Sequence, residues 1–165
     1  MMKMATVVLI AALAGFAPLA HAQVGAKKKA DPRVEEHLKA AGLKYAVDKD
    51  GDCKLGYNVG DGRTQLAWIL SNTSNLGALE IRQIWSIGYR SQTPFSSRIA
   101  NQLLEENSKV KLGSWQVRKM GTDYVAVFCA QIAADTDLDS LRLALHAVTT
   151  TADKMEKELT DEDAY

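Results

Sequence analysis

An excess of charge of one sign is the first thing this chain lacks. Its 20 Lys+Arg balance 20 Asp+Glu, so the formal net charge is zero. Without a positive excess there is little to displace counterions from phosphates, and nucleic acid is not an expected partner. Proline is scarce at 3 and glycine modest at 11, which excludes collagen-like and low-complexity chains. The 2 cysteines allow at most one disulfide. What is present is 47% hydrophobic and 24% charged residues, the balance of an ordinary globular domain. At 165 residues one domain is expected, burying roughly two thirds of its unfolded surface.

Long apolar runs are also missing, with one exception. Val7 to Ala20 carries no charge and is broken only by Gly15 and Pro18. Lys3 precedes it, and Ala20-His21-Ala22 ends it with small residues at both sides of a cleavage signal. The run is too short for a spanning helix, which needs about 20 residues. The pattern predicts a secretory signal peptide over 1–22, cut after Ala22, and hence a periplasmic or secreted protein. No Cys follows the cut, so no lipid attachment is expected there, and no transmembrane segment is expected in the mature chain. Residues 23–30, with Lys27-Lys28-Lys29, show no apolar periodicity and read as a flexible leader.

Along the rest, the periodicity alternates between helix and strand. Asp31-Pro32 opens a helix, with Asp31 as cap and Pro32 where no N–H is needed. Val34, Leu38 and Ala41 share its face, and Gly42 stops it. Leu43, Tyr45 and Val47 then alternate with polar residues up to a turn at Asp50-Gly51. Cys53, Leu55, Tyr57 and Val59 share one strand face. Gly60-Asp61-Gly62 is the next turn, before a strand over 63–70 with Leu66, Trp68 and Leu70 together. Residues 71–77 read as a polar connection, and Leu79 to Ile87 as a fourth strand. A helix is expected from Thr93-Pro94 to about Asn107, with Phe95, Ile99 and Leu103 inward. Two more strands follow, over 113–119 and 124–132. The second is nearly all apolar and is expected at the sheet centre, covered on both faces.

The strongest periodic signal closes the chain. With Thr136 as cap, Leu138, Leu141, Leu145, Val148, Ala152, Met155 and Leu159 recur in steps of three and four. Such a seam can cover a sheet or pair with a second copy as a homodimer. Residues 161–165 read as a frayed acidic tail. The expected fold is α+β: an antiparallel sheet of about five to six strands with three helices, in a single domain over 31–160.

Several local strings, set in this order of elements, resemble the YbjN family of small bacterial proteins. They are Arg63-Thr64-Gln65, Leu103-Leu104-Glu105-Glu106-Asn107, Leu112-Gly113-Ser114-Trp115, and Ala152-Asp153-Lys154-Met155-Glu156-Lys157-Glu158-Leu159. The resemblance covers residues 31–160. It implies a fold similar to type III secretion chaperones, a regulatory or protein-binding role, and no established reaction. The expected signal peptide departs from a cytoplasmic chaperone role.

Candidate chemistry is sparse. Cys53 and Cys129 both lie in apolar strands. Bridging them would close a loop of about 77 residues, an attractive disulfide in an oxidising compartment if their strands adjoin; otherwise they are buried thiols. Asp48-Lys49-Asp50-Gly51-Asp52 starts like a calcium loop, but Cys53 and Val59 stand where such a loop needs Gly and Glu. His37 and His146 lack the local spacing of zinc ligands. No phosphate-binding glycine loop and no nucleophile signature is present. No cofactor or metal is therefore expected. The tryptophans Trp68, Trp85 and Trp115 fit sheet packing, or else an exposed patch that receives a partner, with Trp68 and Trp115 the better candidates. The functional expectation is a non-catalytic, protein-binding module; the alternative is a small-molecule-binding or hydrolytic domain with a cleft beside the sheet.

Overall fold

The structure, a computed structural model, describes residues 28–165. The expected signal peptide and most of the leader lie outside them. The element order is α1 (Pro32–Ala40), β1 (Ala46–Val47), β2 (Cys53–Gly60), β3 (Arg63–Leu76), β4 (Leu79–Ser91), α2 (Ser97–Asn107), β5 (Ser114–Met120), β6 (Asp123–Ala133) and α3 (Leu138–Thr160). The six strands form one antiparallel sheet in the order β1-β2-β3-β4-β6-β5. The fold is α+β, with an open six-stranded sheet and three helices. No helix among the described residues is long and apolar enough to cross a membrane.

All three helices pack on one face. Val34 and Leu38 of α1, Leu103 of α2 and Leu141, Leu145, Val148, Ala152 and Met155 of α3 share a core with Cys53, Leu55, Ala67, Ile69, Ile84 and Phe128. The heptad-like residues of α3 thus serve the chain's own sheet and are not presented to a second copy. A smaller cluster, Ile87, Val125 and Val127, lies on the other face beneath Trp68, Trp85, Met120 and Tyr165. β6 is central, and its residues Val125–Ala130 are buried on both sides.

Three register slips interrupt the sheet, one of them between Asn58 and Gly60 of β2, and a buried polar side chain serves each of the other two. β3 slips register against β4 between Ile69 and Thr73. Arg82, only 1% exposed, donates there to the carbonyls of Leu70 and Ser71 and pairs with Asp31. Asp31 also caps α1 by accepting the Arg33 N–H, and Arg33 reaches on to Glu80 at 2.8 Å. Ser71 takes the Asp31 N–H and donates to the Gly51 carbonyl. The start of α1, the β1–β2 turn and the β3–β4 pair are therefore one bonded unit. β4 slips against β6 between Ile87 and Tyr89. There Gln65, fully buried, donates to Ser86 Oγ and the Ile87 carbonyl. Gly88 sits in that slip because a Cβ would come within 2.4 Å of the Trp115 ring.

Several boundaries differ from the sequence reading. Residues 71–76 extend β3 instead of forming a connection, and the turn falls at Gly77, whose φ is +61°. Their polar side chains mimic a loop, but the backbone pairs with β4 out to Leu76 and Leu79. β1 shrinks to two residues. α2 begins at Ser97 under the cap Ser96, and α3 is capped by Asp137, not Thr136. Lys28 and Lys29 of the expected flexible leader lie against Gly51, and Ala30 is buried. The expected frayed tail is tied down. Ala164 donates to Glu156 Oε1 at 2.6 Å, Arg63 donates to the Glu162 carbonyl at 2.8 Å, and Tyr165 joins the open-face cluster.

Charge makes this frame pH-sensitive in two directions. Arg33 and then Arg82 hold the Asp31 carboxyl far below the carboxylate range, and Arg33 and Thr73 hold Glu80 at about 2. Both contributions are complete above the ordinary values near 4 and are lost as pH falls below them. Burial pushes Glu156 the other way, offset in part by the Ala164 N–H and Arg63. Its ionised form therefore costs stability above its raised pKa, and that cost disappears as pH falls toward the ordinary range. Asp31→Ala leaves the Arg82 guanidinium buried without its counter-ion and is expected to cost about 3–5 kcal/mol at pH 7. Glu156→Gln is expected to gain about 1 kcal/mol at pH 7 and less near pH 4. Urea unfolding of both variants between pH 3 and pH 8 checks the two opposite trends.

Candidate interaction surface

Among the described residues, no second layer covers the face of the sheet away from the helices. Its side chains form a cross-strand ladder, because residues paired across antiparallel strands share a face. Lys54, Trp68, Trp85 and Cys129 are successive partners through β2, β3, β4 and β6. The Trp68 and Trp85 rings stack at 4.3 Å with an interplanar angle of 6°. Lys54 Nζ lies 5.0 Å from the centre of Trp68, and the Arg118 guanidinium 5.5 Å from Trp85. The ring faces are thus covered by the chain's own cations, and only ring edges meet solvent. The contacts are favourable electrostatically, at roughly 0.5–1 kcal/mol for each exposed cation–π pair. Arg118 Nη2 also donates to Gln83 Oε1 at 3.0 Å and Gln116 Oε1 at 3.1 Å, with Cys129 Sγ 3.6 Å away.

The edge of the sheet offers a different surface. β5 is an outer strand. The Trp115 N–H donates to Asn107 Oδ1 at 2.6 Å, turned away from β6. That marks Trp115–Phe128 as a pair without mutual hydrogen bonds, and the alternation of an antiparallel ladder then turns the Val117 and Lys119 backbone groups outward too. Beside them Ala100, Leu103, Leu104, Trp115, Gln116 and Val117 line an apolar groove of about 150 Å³ between α2 and β5. Leu104 and Val117 are 65% and 56% exposed there.

The residues singled out in the sequence separate. Trp68 lies on the open face, half-buried in the ladder. Trp115 does not: it is 6% exposed, edge-on to Phe128 in the helix-covered core, because β5 turns odd residues toward α2. Cys53 and Cys129 are both free thiols. Of the two readings left open for the cysteines, the disulfide fails on geometry and the buried thiols hold. Cys53 faces the helices and Cys129 the open side, with β3 and β4 between their strands. Three strand spacings of about 4.8 Å put them roughly 14 Å apart, against the ~7 Å a disulfide allows. Burial raises both thiols, Cys53 to about 11. His37 Nε2 lies 3.0 Å from the Thr136 carbonyl, tying α1 to the start of α3, and His146 is exposed beside Tyr57. In the aspartate-rich turn, the Asp48 side chain accepts the N–H groups of Asp50 and Asp52. Asp153, Glu156 and Asp163 form an acidic cluster, and Arg63 sits among them, 2.6 Å from Asp153. No protein-family model matches the chain, and no curated protein matches it.

Sequence reasoning missed Trp85, Lys54 and Arg118 as members of one ladder, since they are far apart in sequence and meet only through register. The parallel stacking predicts an exciton couplet in the far-ultraviolet circular dichroism. It should vanish in Trp68→Phe and in Trp85→Phe and persist in Trp115→Phe. Thiol titration of air-exposed protein should give both cysteines free after unfolding, with reductant leaving the melting temperature unchanged.

Proposed function

We propose that this chain is an exported, non-catalytic protein-binding module of the YbjN type that takes an extended segment of a partner along β5. The observation that carries the reading is the outward backbone of Trp115, Val117 and Lys119 beside the apolar groove. An added strand would gain backbone hydrogen bonds from the edge and place an alternate side chain in the groove. Exposed apolar surface on both walls, at Leu104 and Val117, gives that side chain something to bury against. Lys119 at one end of the strand favours an acidic residue in the partner. The α3 seam is occupied within the fold, and the ring faces of the open side are occupied by Lys54 and Arg118, whereas Leu104 and Val117 beside the β5 edge stay exposed.

The deciding variant is Val117→Pro. It removes an outward N–H that β6 does not use, so the sheet ladder is retained. A partner crosslinked from periplasmic extract through a photoreactive residue at position 104 should be lost in Val117→Pro, with the melting temperature shifted by no more than a few degrees. A partner that survives Val117→Pro, or no crosslink at all, rejects strand addition at this edge.

A further inference from the structure

We propose that the open face carries a binding site for a small oxyanion, a carboxylate or phosphate group on a compact molecule, centred on Arg118. Four arginines among the described residues are not exposed: Arg33, Arg63, Arg82 and Arg118. Three of them meet carboxylates: Arg33 meets Asp31 and Glu80, Arg63 meets Asp153, and Arg82 meets Asp31. Arg118 forms no ion pair among the described residues. Its partners are the amide oxygens of Gln83 and Gln116 and the face of Trp85. These are neutral groups. They orient the guanidinium without cancelling its charge.

The neighbouring thiol does not supply the missing charge either. Burial raises the Cys129 pKa against the lowering effect of Arg118, so at neutral pH the group is a thiol and not a thiolate. Nη2 of Arg118 spends its N–H groups on the two glutamine oxygens, while Nε and Nη1, on separate edges of the guanidinium, have no protein partner among the described residues and can each donate to a single oxygen of a bound group. Two of the groups that Arg118 touches, Gln116 and Cys129, line a hollow of about 270 Å³ together with Gly113, Ser114 and Gln131. The Ser114 hydroxyl and the glutamine amides add donors, and no acidic side chain lines the space. The hollow is below the range for drug-sized ligands, which limits the ligand to a compact one. Trp85 and the two glutamines hold the arginine in place before any ligand arrives, so little side-chain freedom is lost on binding.

Gln116 borders both this hollow and the groove beside β5, but Arg118 faces the opposite way from Trp115 and Val117 and does not line the groove. The two readings therefore fail independently. The test is titration of the full chain, at low salt, with inorganic phosphate and separately with succinate, read by tryptophan fluorescence and by the Nε–H resonance of Arg118. A saturable response to either probe is expected, and which one responds tells phosphate from carboxylate recognition. Arg118→Gln should weaken it roughly tenfold or more, while Lys54→Gln, on the far side of the tryptophan stack, should change it by less than about twofold. Arg118→Lys keeps the charge but loses the planar donors that Trp85 and the two glutamines hold in place, and should bind several-fold more weakly, which provides the test should Arg118→Gln fold poorly. No saturable response to either probe, or equal affinity in the Arg118 variants, overturns the proposal.

Discussion

A single buried ion pair, Arg82 with Asp31, fixes how the rest of the molecule is arranged. The β3 bulge frees the carbonyls of Leu70 and Ser71 inside the protein, where unpaired polar groups are costly. Arg82 satisfies them and thereby becomes the largest fully buried side chain. A buried guanidinium in turn needs a counter-charge. Asp31 supplies it while capping α1, so the position of the first helix is dictated by a strand irregularity. Gln65 plays the corresponding part at the β4 bulge with a neutral side chain. The placement of α1 and the burial of Arg82 and Gln65 thus follow from these two register slips.

The layer pattern follows from what each face must meet. α3 crosses β2, β3, β4 and β6 with an uninterrupted apolar stripe, and α1 and α2 fill the remaining corners. Opposite them, no helix is left to cover the aromatic residues. The chain resolves this locally, by stacking two indoles on one another and closing the stack with a lysine and an arginine. The face is apolar in composition yet presents cations and ring edges to water. The β5 edge stays open too, beside a groove that α2 and the strand leave unfilled.

Much of this was legible in the sequence. Asp31-Pro32, the steps of three and four in α3, the Gly-Asp-Gly turn and the unbroken apolar run of β6 each carry a local signal with a direct physical cause. The misreadings share a reason as well. Residues 71–76 are polar because they extend beyond the neighbouring strands into solvent, so composition could not show that they pair. Trp115 was grouped with Trp68 because both are strand tryptophans, and only the pleat of β5 decides which one faces the helices. The two cysteines lie on faces assigned by register, so no count of intervening residues could place them. The Arg82 network was invisible for the same cause: bulges have no reliable sequence mark, and the side chains that serve them are chosen by proximity.

The hairpin formed by β3 and β4 ends in Leu76, Gly77, Ala78 and Leu79. β2 leaves off at the Cys53–Ile69 pair, whereas β6 follows β4 to Ile81 and the Ala134 N–H reaches the Glu80 carbonyl. The finger is therefore held along one side, and by the Arg33–Glu80 contact, almost to its turn, and its motion should be confined to a short hinge beyond Glu80. Its leucine tip can sweep the surroundings while the sheet beneath stays still.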